Sequence, residues 1–146
     1  MLGLFYCFCL SMKLKQQPDD FIVEEIPSFE VSSEKDEHTV FLLQKQEIDT
    51  FDAIRLIAKK LRISLFEIGY AGLKDKHALA RQYISIPTRY NIKGLNIDSL
   101  TLSFVGYHRK KIKIGDLIGN RFTIIVRDVS ENELADVSRR AVTIPM

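Results

Sequence analysis

GYAGLKDKHALARQYISI, residues 69–86, carries both the architecture and the chemistry of the chain in one stretch. An apolar run ending at Tyr70 (Phe66–Tyr70) and the β-rich run Gln82–Ile86, stopped by Pro87, predict two short strands. Between them lies the loop AGLKDKHALAR, which the flanking strands are expected to hold at the edge of a sheet. Asp75 is the only carboxylate in the loop, with Lys74 before it and Lys76 after it. Opposite charge favours the ionised form, so Asp75 is expected to be charged at neutral pH. A charged carboxylate on a loop can serve as nucleophile, general base or cation partner. Gly72 just before it lets a bulky ligand approach the backbone. Taken alone, a Lys-Asp-Lys triplet is more often a solvated turn with an inexpensive surface ion pair.

Working outward, Phe21–Ile26 is extended between Pro18 and Pro27, and Thr39–Leu43 is apolar and rich in β-formers. Asp49 or Thr50 can cap a helix whose apolar positions Phe51, Ile54, Ile57, Ala58 and Leu61 recur with helical period. Leu100, Leu102 and Phe104 mark a half-buried strand by alternation. The basic run His108–Lys113 reads as a further strand, so alternate side chains would face opposite sides. Gly115 and Gly119 are expected to bracket a turn, Asn120 after Gly119 reads as a turn residue, and Phe122–Val126 reads as a core strand. Ser130 and Glu133 form a capping box that opens a last helix. The fold expected is α/β (α+β), with a mixed, mostly antiparallel sheet and flanking helices.

The chain has 146 residues, 46% hydrophobic and 27% charged, enough for one domain with a core and too apolar for a disordered segment. Cys7 and Cys9 make no disulfide framework, and no Cys or His set has metal-ligand spacing, which fits a reducing, cytoplasmic setting. Residues 1–11, MLGLFYCFCLS, are too short for a membrane helix and lack a basic leader region or cleavage site. They are read as an extension ahead of a natural start at Met12, leaving 12–146 as the domain portion; the alternative is a genuine N-terminal strand or anchor. Residues 19–37 hold eight acids and one base. Residues 55–127 hold fifteen Lys or Arg against four acids, a net +11, which suits an anionic partner such as nucleic acid or, equally, a solvated lysine surface.

Three ordered blocks resemble the TruD family of tRNA pseudouridine synthases. Ala71, Gly72, Lys74, Asp75, Lys76, Ala78, Ala80 and Gln82 match a family motif close to A-G-x-K-D-[KR]-x-A-x-[TA]-x-Q, and His77 also agrees. Ala80 stands where threonine is more common. Upstream, Lys15, Pro18, Asp20, Phe21, Val23 and Glu24 resemble K-x-x-P-x-D-F-x-V-x-E. Downstream, His108, Arg109, Lys111, Gly115, Gly119, Asn120, Phe122 and Thr123 resemble the third block. Together they cover about Lys15 to Val129.

The resemblance implies an isomerase needing no metal or cofactor. Uracil is detached from C1′, rotated and reattached through C5, with Asp75 as the attacking aspartate. The substrate implied is a tRNA uridine in the D-arm region, uridine 13, flipped out of its stack to reach the loop. By the same resemblance Phe21 lines the pocket, Lys15 orients Asp75 or meets phosphate, and Gln82 supports the site. Gly72, Lys74, Lys76 and His77 would contact the flipped nucleotide, and Arg81, Arg109, Lys110, Lys111 and Lys113 the RNA backbone. Phe21 and Lys15, without the resemblance, read as a core phenylalanine and a surface lysine.

Family members are much longer, and after the third block they carry an N-Y-F-G-x-Q-R-F-G block that completes the pocket. Here Ile144-Pro145 matches the position just before that block, and the sequence ends at Met146. The chain is therefore expected to be an N-terminal portion of the catalytic domain, its partners tRNA and the C-terminal half, with no membrane. The alternative reading is an RNA-binding remnant without catalysis.

Overall fold

The computed structural model describes residues 13–14, 17 and 20–141. The reading of residues 1–11 and of Lys15 lies outside them. A sheet with strand order β6-β7-β3-β5-β2-β8 organises the chain. Its strands are β2 (Phe21–Pro27), β3 (His38–Lys45), β5 (Leu79–Pro87), β6 (Gly94–Ile97), β7 (Leu100–His108) and β8 (Leu117–Ile124). The two-residue β4 (Gly69–Tyr70) pairs with β5 beside this path. β1 (Lys13–Leu14) and β9 (Val126–Arg127) form a separate ladder. Among the described residues all strand pairings are antiparallel except β2 with β5. The sheet is thus mixed and mostly antiparallel, as the alternation of strands and one strong helix implies.

Helix α1 (Thr50–Leu61) starts where Asp49 accepts a hydrogen bond from Asp52 N–H at 2.9 Å, and ends in a left-handed Arg62. It buries Ala53, Ile54, Ile57 and Ala58 against Phe41, Leu43, Ile84, Ile86, Leu100 and Leu102 of the sheet. Its first apolar residue, Phe51, is exposed instead, with Arg55 stacked over its ring at 4.2 Å. A smaller cluster of Val40, Ala71 and Ile112 fills the other face, with Phe29, Val31, Tyr83 and Leu117 against it. Helix α2 (Glu131–Ala141) opens with the capping box: Glu133 Oε2 accepts from Ser130 N–H at 2.8 Å. No helix among the described residues is long and apolar enough to cross a membrane.

Four expectations change. Phe66–Tyr70 is a 3-10 turn (Leu65–Glu67) followed by β4, because Glu67 and Ile68 N–H close back onto Ser64 and Leu65 carbonyls. Residues 109–114 are not a strand: His108 Nδ1 contacts the Lys110 carbonyl at 2.7 Å, and the chain bends away. Gly119 and Asn120 lie inside β8, where Asn120 opposes Glu25; the turn comes earlier, at Gly115 with φ 96°. Phe122–Val126 is no core strand. β8 is bonded to β2 alone among the described strands, and Phe122 and Ile124 are 57% and 51% exposed.

Gly69 shows how closely the layers meet. A Cβ there would lie 2.4 Å from the Ile112 carbonyl oxygen and 2.5 Å from Ser85 Oγ. Ser85 Oγ itself accepts from Ile112 N–H at 2.9 Å, so neither neighbour is free to give way. Gly69→Ala is expected to cost roughly 1–3 kcal/mol of stability. A lower midpoint in urea unfolding checks it; an unchanged midpoint contradicts the contact.

Candidate active site

Residues 71–78 leave β4 and enter β5, a strand in the middle of the sheet. The loop therefore sits at the end of a central strand, not at the sheet's edge as the flanking strands suggest. β2, parallel to β5, starts at the same end through the Ile22–Leu79 pairing. This brings Phe21 to the loop's end of the sheet, where its ring lies 6.0 Å from that of Phe122.

Asp75 is exposed, and so are Lys76 and His77. The Asp75 carboxylate accepts from Lys76 N–H at 2.6 Å, which turns it back over its own loop. The cation on its other side points elsewhere. Lys74 is buried, and its ammonium lies 2.9 Å from Glu25 Oε2. Glu25 is sealed too, and its second oxygen accepts from Tyr83 N–H at 3.2 Å. Lys74 thus cannot grip a phosphate: its charge is spent inside, joining the loop to β2. Gly72 closes over this pair, since a Cβ there would sit 3.1 Å from Lys74 Nζ.

Behind the loop stands a polar scaffold that extends from α1 to β5. Thr50 Oγ1 accepts from Lys74 N–H at 2.7 Å and donates to Gln82 Oε1 at 2.9 Å. Gln82 Nε2 reaches the Gly72 carbonyl at 3.3 Å. Lys45, at the end of β3, is wholly buried. Its Nζ donates to the carbonyls of Ile48 at 2.7 Å, Lys74 at 3.0 Å and Asp75 at 2.9 Å. Three donors meet three acceptors, so nothing polar is left unpaired. Burial pushes the Lys45 ammonium down to about 8, against the Asp49 and Asp75 carboxylates, which hold it up.

The remaining candidates divide. Arg81 is half-buried and bridges Gln44 (3.1 Å) and Glu24 (2.9 Å) on the sheet surface. Arg109 and Lys110 are exposed at the His38–His108 end of β3 and β7. Lys45 and the loop are at the other end, roughly 23 Å away at about 3.3 Å per residue. Lys111 donates to the Phe66 carbonyl. Lys113 is exposed where the chain returns toward the loop, since Gly115 N–H donates to the Ala71 carbonyl at 2.9 Å. The basic stretch therefore does not form one groove around Asp75.

Lys45 and Glu25 were not singled out from sequence, and Thr50 was named only as an alternative helix cap. For Lys45 a signal existed: on β3 it lies on the side of Phe41 and Leu43 by strand alternation, the core side. Asp20, a residue of the first block, is also buried, and Arg127 grips both its oxygens at 2.7–3.1 Å.

A model of the family described as tRNA pseudouridine synthase D (TruD) matches residues 7–144. The chain belongs to the TruD family. Its similarity to individual TruD proteins is of the same order. A Methanocaldococcus jannaschii protein named "Probable tRNA pseudouridine synthase D 2" is 44% identical over 132 residues, 90% of this chain and 31% of that protein. The tRNA pseudouridine synthase D of Sulfurimonas denitrificans is 42% identical over 123 residues, 83% of this chain and 34% of that protein. A crystal structure assigned to TruD from Methanosarcina mazei superposes with a TM-score of 0.77 at 33% identity, covering 90% of this chain and 31% of that one. The chain thus spans about a third of the length of the TruD proteins it matches.

Proposed function

We propose that this chain is the nucleophile-bearing part of a tRNA pseudouridine synthase, with Asp75 as the attacking group and uridine 13 of the D-arm region as substrate. The observation that carries the reading is the contrast within one loop. Asp75 is exposed, while its backbone carbonyl and that of Lys74 are held from beneath by buried groups. A carboxylate on a fixed backbone suits covalent attack, because most of the orienting entropy is lost before substrate arrives.

In the proposed reaction Asp75 attacks the extruded nucleoside, and the C1′–N1 bond breaks. The uracil turns, C5 bonds to C1′, the bond to the Asp75 carboxylate breaks, and the proton lost from C5 is balanced by one taken up at N1. Lys76 and His77, exposed beside Asp75, contact the nucleotide's sugar and phosphates, and Phe21 with Phe122 forms an aromatic wall at the same end of the sheet. Arg109 and Lys110 meet RNA farther away, along a second part of the tRNA. The exposed apolar side of β8 receives the C-terminal half of the catalytic domain. The setting is cytoplasmic, where tRNA is modified.

The test is carbodiimide mapping of pseudouridine in tRNA treated with the protein. One new pseudouridine in the D arm is expected. Binding to tRNA without any modified uridine, by the protein joined to its C-terminal half, would favour a non-catalytic RNA-binding role instead.

A further inference from the structure

We propose that Lys45 is a positioning residue for the reaction, a buried latch whose three-proton form fixes the backbone that presents Asp75. The inference rests on Asp75 as nucleophile and extends it to a group that touches no substrate. Lys45 Nζ spans two structures. One is the Ile48 carbonyl in the turn before α1; the other is the consecutive carbonyls of Lys74 and Asp75. An ammonium has three N–H donors and an amine two, so loss of one proton leaves one of the three carbonyls without its bond. Buried carbonyls do not stay unpaired. The peptide with most freedom to turn toward water is that of exposed Asp75.

The surroundings make this proton removable near the working pH. The charged groups facing Lys45 are Asp49 from the turn before α1, and Asp75 and Lys74 from the loop. Asp98, in the turn before β7, lines a cavity of about 70 Å³ next to it. β5 and β7 set Ala80 and Leu100 opposite it in register, so neither strand brings a counter-charge. Burial lowers the ammonium to about 8, opposed by Asp49 and Asp75. The sign for stability is opposite to that for the latch. Between about 8 and the ordinary lysine value the unfolded chain holds a proton that the folded chain does not, so global stability rises with pH there. A fall of activity in that range is then local loosening of the loop, not unfolding.

The experiment is a pH titration by NMR of the full chain, followed through the Lys45 13Cε resonance and the amides of Asp75 and Lys76. These signals are expected to move together with a midpoint near about 8. In the protein joined to its C-terminal half, kcat is expected to fall along the same curve with KM changed less than about twofold. Lys45→Met should remove the amide titration and lower kcat by roughly 100-fold, the scale of a small misplacement of reacting groups. Loop amides that stay flat from pH 7 to 10 while Lys45 titrates, or a Lys45→Met protein with undiminished kcat, overturn the proposal. If that variant does not fold, the unmodified protein's titration decides alone. Coupled titration with no pseudouridine formed at any pH leaves the latch standing and removes the catalytic reading of Asp75.

Discussion

Asp75→Asn is expected to lower pseudouridine formation by roughly four orders of magnitude or more, the scale at which removal of a covalent nucleophile is felt. The substitution is close to isosteric, and the structure indicates that the loop survives it. The side-chain oxygen that accepts from Lys76 N–H is kept, and the backbone carbonyl that accepts from Lys45 is untouched. Affinity for tRNA should therefore stay within about threefold, because phosphate contacts supply most of it. Tritium release from tRNA labelled at uridine C5 reports the chemistry directly, since that hydrogen leaves only when C5 has bonded to C1′. Turnover in Asp75→Asn near the unsubstituted rate would remove Asp75 from the reaction. A parallel loss of tRNA binding would show that the loop, not the nucleophile, had been lost.

The largest stability effect is expected at Glu25. Its carboxylate and the Lys74 ammonium are both sealed from water, so Glu25→Ala leaves a buried cation without its partner and Tyr83 N–H without its acceptor. Breaking such a pair from one side costs about 3–5 kcal/mol, a large part of the stability of a domain this size. Replacing both partners, Glu25→Ala with Lys74→Met, should recover most of that loss, because no uncompensated charge remains. Urea unfolding of the single and the double variant beside the unsubstituted protein measures it. If the double variant is no better than Glu25→Ala, the cost lies in packing around Gly72 instead of in the charge left behind.

What was legible in the sequence is what depends on near neighbours. The cap at Asp49, the box at Ser130 and Glu133, and the inward-facing Leu100 and Leu102 of β7 each involve residues a few positions apart, and each stands in the structure; Phe104, expected on the same buried face, is exposed. The family motif singled out Asp75, which is exposed, and Gln82, which is buried behind the loop. It misjudged Lys74, because the motif records a residue type and not the direction of a side chain. That direction is set by Glu25, 49 residues away. Lys45 was missed for a like reason: two of its three acceptors are backbone carbonyls 29 and 30 residues away, which leave no mark in side-chain composition. β8 has the composition of an interior strand, but composition does not state what covers it.

The parallel pairing of β2 with β5 has a consequence for how the site comes into being on the ribosome. β2 emerges early, yet its register partners, Leu79 to Arg81 on one side and Leu117 to Ile124 on the other, are made much later. Contacts so far apart in sequence close slowly. Until they close, Glu25 and Lys74 remain solvated on separate pieces of nascent chain. The loop that carries Asp75 therefore gains its buried ion pair only after β5 has been made and has docked beside β2.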